Sequence, residues 1–181
     1  HSRFRQLLIS RCPPSAFGIT SAPRSARAGR YAARSSASGA QTPKADAVLV
    51  YKSERLLMLL RAGEIIGHYQ ISLGRNPIGP KTHEGDERTP EGRYYLDWRN
   101  PDSRFYRSIH ISYPSPRDLA HSHRAGSSPG GNVMIHGLPN DPVLAQFAWD
   151  DWTDGCIAVA NDAMDAIWAA VDDGTVIVIR P

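Results

Sequence analysis

Apolar residues recur mostly at every second position, in short runs separated by turns that carry glycine or charge, and that period belongs to half-buried strands rather than helices. The first runs are Ala47 to Tyr51, Arg55 to Leu60 and Ile65 to Leu73, parted by Ser53-Glu54 and Ala62-Gly63, which predicts an antiparallel meander. From Arg75 to Thr89 the alternation lapses. Gly74, Gly79, Gly85 and Gly92 with Pro77, Pro80 and Pro90 mark a loop of fixed turns that enters a strand from Arg93 to Trp98. Phe105 to Tyr113 alternates again, with Phe105, Arg107, Ile109 and Ile111 on one face and Tyr106, Ser108, His110 and Ser112 on the other. A short His-rich helix over Pro114 to Ala125 and a flexible loop from Gly126 to Gly131 follow. Val133-Met134-Ile135 reads as a buried strand, and Asp141 to Trp149 as a helical turn begun by Asp141-Pro142. Ile157 to Ala160 is apolar, and Asn161 or Asp162 caps a helix whose Met164, Ile167, Trp168 and Val171 share one face. After Gly174, Thr175 to Ile179 is a buried terminal strand, so the expected fold class is mainly β with a few short helices.

Residues 1–44 differ in kind. They are rich in Ser, Ala, Gly and Pro, poor in large apolar side chains, and carry eight Arg and Lys without one acid. Such a stretch buries too little surface to offset chain entropy, so a disordered or processed basic leader is expected at 1–44, followed by a folded domain at 45–181. Leu7-Leu8-Ile9 is too short for the apolar region of a secretory signal, and the sequence does not begin with Met. Setting the leader aside reverses the charge. The whole chain is +3, yet residues 45–181 hold 13 basic against 18 acidic side chains, and the leader has no interleaved aromatics, so no nucleic-acid partner is expected. No stretch approaches the ~18 apolar residues needed to span a bilayer. With 181 residues, 41% of them hydrophobic, one core needs neither disulfide nor metal, and Cys12 and Cys156 are expected to be unpaired.

The chemistry concentrates between Asn132 and Ala160. An imidazole that takes a thiol's proton makes it a nucleophile, and His136 and Cys156 are the candidates for such a pair. His136 stands at the end of the apolar run, just before the hinge Gly137. Gly155 permits a tight turn before Cys156, where backbone N–H groups can face a developing oxyanion.

The order His136-Gly137, a spacer of about 16 residues, then Thr153-Asp154-Gly155-Cys156 resembles the L,D-transpeptidase catalytic domain of the YkuD type. Thr89-Pro90-Glu91-Gly92 matches that family's Thr-Pro-x-Gly element, and Ser72-Leu73-Gly74 its Ser-x-Gly-like strand end. The resemblance covers Ala45 to Ile179 and implies a β-sandwich or barrel-like catalytic fold. It implies that Cys156 attacks the third-residue carbonyl of a peptidoglycan tetrapeptide stem and expels the terminal D-Ala. His136 would serve as base and then acid, the N–H groups of Gly155 and Cys156 as oxyanion donors, and Thr153 and Asp154 as parts of the turn. The thioester would pass to an amine, giving a cross-link or an anchored lipoprotein, or to water, giving carboxypeptidase or amidase chemistry. No metal or organic cofactor is required, and the resemblance implies a periplasmic or cell-envelope location.

Two positions depart from the family pattern: Asp154 stands where His is usual, and Ala158 where many members carry Arg or Asn. Asp154 is expected to face away from the sulfur, orienting His136 or binding backbone N–H groups of the turn. His110 is either an accessory group beside the thiol or an ordinary sheet-surface histidine. The rival readings are a murein peptide hydrolase with the same site, a non-catalytic wall-binding module, or a metal site built from Cys156, His136, His110 and Asp154. Those four lack the close paired spacing of structural zinc sites.

Overall fold

The computed structural model describes residues 42–146, 148 and 150–181. Residues 1–41, with Cys12, lie outside them. Strands β1 (Ala47–Tyr51), β2 (Leu56–Arg61), β3 (Glu64–Gln70), β4 (Gly92–Ser103), β5 (Tyr106–Ile111), β6 (Met134–His136), β7 (Ile157–Ala158) and β8 (Thr175–Arg180) are joined by helices α1 (Pro116–Arg124), α2 (Pro142–Ala145) and α3 (Asn161–Ala170). They form one sheet in the order β3-β2-β1-β8-β4-β5-β6-β7. Pairing is parallel between β1 and β8 and between β6 and β7, and antiparallel elsewhere. Ser72, just beyond edge strand β3, bridges Ala158 of the opposite edge strand β7, so the sheet curls back on itself.

The alternation in the sequence sets the inner face. Val48 and Val50 of β1, Leu57 and Leu59 of β2, Tyr94 and Leu96 of β4, and Ile177 and Ile179 of β8 are buried, while their neighbours are less covered. Helix α3 lays Met164, Ile167 and Ala170 into the same core. Trp168 stays half-buried, with the guanidiniums of Arg99 and Arg107 at 5.1 and 5.4 Å from its ring centroid.

Several elements differ from the expected ones. β4 runs on through Pro101 to Ser103, because register shifts in its pairing with β5 leave room for a residue without a donor. Helix α2 is confined to Pro142–Ala145, with Asp141 accepting from the Val143 N–H. Neither Asn161 nor Asp162 caps α3: the cap is Ala160, and Asn161 Oδ1 instead accepts from the Leu138 N–H at 2.9 Å.

Residues 75–91 contain no helix or strand, yet buried charge ties them down. Lys52, 2% exposed, spends its three donors on Gly79 O (2.6 Å), Thr89 O (2.9 Å) and Glu91 Oε1 (2.8 Å). Asp86 accepts from Lys81 Nζ (2.8 Å) and from the N–H groups of Thr82, His83 and Arg88. Burial opposes ionisation of Asp86, but Lys81 and those N–H groups together outweigh it and bring the carboxyl down from 3.8 to about 2. The resulting stability is complete above pH 3.8 and is lost as pH falls through about 2. A shift of that size corresponds to about 2 kcal/mol. Asp86→Asn is therefore expected to cost at least about 2 kcal/mol at pH 7 in urea melts, with the gap to the parent closing as pH is lowered toward 2.

Candidate active site

His136 ends β6 and is 3% exposed. Its ring packs in a cluster with Phe105, at 4.7 Å between centroids, and Trp152, at 5.6 Å, which themselves lie 5.8 Å apart. Nδ1 is 2.7 Å from the Gly137 carbonyl, which can only accept, so Nδ1 carries the hydrogen and Nε2 is left as the basic nitrogen. Gly137 is needed for this placement. A Cβ there would stand 2.6 Å from Asn161 Oδ1 and 2.7 Å from Tyr106 Cβ. Burial holds the imidazole below 6.5 against the opposing pull of the Gly137 carbonyl, so His136 is neutral near pH 7.

Parallel pairing sets Ile135 against Ile157 and His136 against Ala158, which brings Cys156 opposite Met134 and onto the same sheet face as His136. Strand spacing and rise put the two Cα atoms roughly 8 Å apart on that face. The sulfur accepts from the Met134 N–H at 3.4 Å and lies 3.7 Å from the Asn132 carbonyl, to which the thiol hydrogen donates. Burial pushes the half-buried Cys156 thiol above 9.0; the Met134 N–H and Lys81 oppose that, and Asp154 adds to it. At rest the pair is thus neutral thiol and neutral imidazole.

The turn before Cys156 is braced by side chains. Thr153 Oγ1 donates to Cys156 O at 2.8 Å and accepts from the Gly155 N–H at 3.1 Å. That engagement differs from the sequence reading, in which the Gly155 N–H faces an oxyanion. Gly155 adopts φ +131°, and a Cβ on it would meet Arg88 O at 2.6 Å, so the 75–91 loop crosses directly against the turn. Upstream, the Asp151 carboxylate receives Arg55 Nε (3.0 Å), Arg55 Nη2 (2.6 Å) and the Leu73 N–H (2.9 Å).

Asp154 lines the same cleft as Cys156 and reaches neither His136 nor a backbone N–H of the turn. It pairs with Arg75 at 2.7 Å, with its side chain 83% exposed. Its charge disfavours the thiolate, so Asp154→Asn is expected to speed iodoacetamide alkylation of Cys156 modestly at neutral pH and to move the alkylation midpoint down. A slower reaction would mean that the carboxylate supports the pair after all. His110 bonds Asp97 Oδ1 at 2.6 Å and stacks on Trp98, which fits a sheet-surface histidine. The four residues of the metal reading are thus drawn to separate partners, and among the described residues no three His, Cys, Asp or Glu side chains converge.

Cys156, Gly155, Asp154, Asn132, Gly131 and Lys81 help line an open cleft of about 370 Å³. Lys81, with its side chain 5% exposed, is the part of the site that the sequence reading missed. Its pairing with Asp86 lies inside a Gly/Pro loop with no periodic pattern, and only the packing of that loop on the Cys156 turn brings its charge to the sulfur. Phe105 and Trp152 were missed because their contacts with His136 arise only when distant segments pack together, although Trp152 directly precedes the Thr153 turn.

A family model described as the YkuD L,D-transpeptidase catalytic domain matches residues 45–179. The curated "Putative L,D-transpeptidase YafK" of Escherichia coli K12 is 34% identical over 131 residues, 68% of this chain and 46% of that protein. The chain therefore spans about half the length of the curated relatives it matches. The crystal structure of the helical cell shape determining protein Pgp2 from Campylobacter jejuni superimposes with a TM-score of 0.58 at 26% identity, over 74% of this chain and 46% of that one. Bd1075 of Bdellovibrio bacteriovorus shares the fold, with a TM-score of 0.50 at 24% identity over 74% and 47% of the two chains. Among the described residues no helix is long and apolar enough to cross a membrane.

Proposed function

The chain belongs to the YkuD family of L,D-transpeptidase catalytic domains, and from that premise we propose that it transfers acyl groups from peptidoglycan tetrapeptide stems through a thioester on Cys156. The observation that carries this reading is the neutral His136, its Nε2 unprotonated, on the same sheet face as a thiol at the mouth of an open cleft. As the stem's third-residue carbonyl approaches, the thiol proton passes to Nε2 and an S–C bond forms. The Cys156 N–H faces the oxyanion, since Thr153 holds the Gly155 N–H. Collapse breaks the C–N bond, and the imidazolium returns its proton to the departing D-Ala amine. An acceptor amine then attacks the thioester: a C–N bond forms, the S–C bond breaks, and the amine's proton, taken up by His136, returns to Sγ.

In this reading the protein works in the cell envelope, where its substrate is. Its likeness to Pgp2, named as a cell shape determining protein, supports a role in the wall. The buried Lys81–Asp86 pair, at 2.8 Å, anchors Lys81 in the cleft wall. Mass spectrometry after incubation with purified tetrapeptide tests the proposal: the protein should gain the mass of the tripeptide acyl group on Cys156. Product analysis with and without an added amine separates transfer from hydrolysis, in which the same thioester passes to water.

A further inference from the structure

A second hollow, of about 760 Å³, lies across Lys81 from the cleft of Cys156, and Lys81 borders both. It is walled by the start of β4, the end of β8, helix α1 and the Pro80–Thr82 segment. Four exposed arginines meet there: Arg93 of β4, Arg117 and Arg124 of α1, and Arg180 of β8. The two carboxylates in its lining are already engaged. Glu91 holds Lys52 at 2.8 Å, and Asp118 accepts from the Ser115 N–H (2.8 Å), Ser115 Oγ (2.6 Å) and Tyr94 OH (3.1 Å). Among the described residues none of the four guanidiniums has an ion pair or a side-chain hydrogen bond; Arg93 only lies over the Tyr95 ring at 5.7 Å.

That grouping runs against the rest of the domain. Residues 45–181 hold 18 acids against 13 bases, so four unpaired cations in one hollow are not a consequence of composition. Like charges so placed repel one another, and the fold gains nothing from them until an anion arrives. The chain's own leader is not that anion, since residues 1–44 carry eight basic side chains and no acid. Guanidinium forks match carboxylates two bonds at a time. The hollow and the cleft of the proposed nucleophile share Lys81 in their walls, so a wall polymer seated at Cys156 passes beside it.

We infer that this groove docks the free carboxylates of a peptidoglycan strand next to the stem acylated at Cys156, an inference that rests on the proposed function. The neighbouring strand would be held by its charges in the arginine groove while the reacting stem occupies the cleft.

The test is sedimentation binding of the Cys156→Ala protein to purified insoluble peptidoglycan, at several salt concentrations. Carrying Arg117→Gln and Arg124→Gln together should weaken binding about tenfold and flatten its salt dependence. Arg61→Gln, an equally exposed arginine at the end of β2, should leave binding as it was. Peptidoglycan whose carboxylates have been converted to amides should bind the parent as weakly as the double variant binds untreated material. Unchanged binding by the double variant, with thermal melts showing it folded, overturns the inference. Competition by polyphosphate together with indifference to amidation also overturns it, by assigning the groove to phosphate. A wild-type protein that binds through these arginines but never acquires a thioester sinks the catalytic reading and leaves the groove standing; normal thioester formation with arginine-independent binding does the reverse.

Discussion

Cys156→Ala is expected to abolish turnover of murein tetrapeptide and the mass gain that reports the thioester, while leaving the fold in place. Loss should be complete because no other described cysteine is present to take over, and the serine nearest in sequence to the turn, Ser128, lies in the loop after α1. Stability should change by about 1 kcal/mol or less. The thiol is half-buried and makes only weak sulfur hydrogen bonds, to Met134 N–H and Asn132 O, so its removal opens little space. Thermal melts beside the activity assay separate the two effects. Residual turnover at the parent rate would show that the reaction does not run through this sulfur.

His136→Ala is expected to lower kcat/KM for tetrapeptide by at least ~10²-fold, the usual scale for losing a positioned acid–base group. The alanine variant also leaves a gap beside Phe105 and Trp152, so His136→Gln serves as a companion that fills more of the space without supplying a base. The pH profile distinguishes the chemical role from the packing role. Because burial holds the imidazole below 6.5, the acid limb of the parent should fall below that value and should be missing from the residual activity of either variant. An acid limb retained in His136→Gln would assign the base elsewhere.

The strands were readable where one face is buried and the other wet. In β1, β2 and β8 the alternation of Val, Leu and Ile marks the inner face almost residue by residue. Reading failed where a local pattern has a distant competitor. Asn161 looks like a helix cap, but Leu138 takes its side-chain oxygen. Asp154 looks like a partner for the neighbouring site, but Arg75 lies closer in space. Ser108 falls on the polar face of β5 yet is 3% exposed, because that face turns toward His136. The order of His136, Gly137, Thr153, Gly155 and Cys156 was legible as a family pattern, whereas the bond from His136 to a main-chain carbonyl was not. Nothing in a sequence distinguishes a carbonyl partner from a carboxylate one. The convergence of Arg93, Arg117, Arg124 and Arg180 was hidden for a similar reason, since β4, α1 and β8, which carry them, lie far apart in the sequence.

The central position of β8 bears on when the thiol becomes reactive during synthesis. β8 follows every other strand in the chain yet lies between β1 and β4, so the two halves of the sheet join only after it has been made. Such long-range pairing is slow because loop closure precedes the contacts that reward it. β7 has only two residues and leans on β6, Ser72 and the Thr153 turn, none of which forms a stable unit alone. On the ribosome Cys156 is therefore an ordinary solvated thiol with no base beside it. On the proposed mechanism the nucleophile is thus a late product of folding, and a nascent chain carries the sequence of the site without its reactivity.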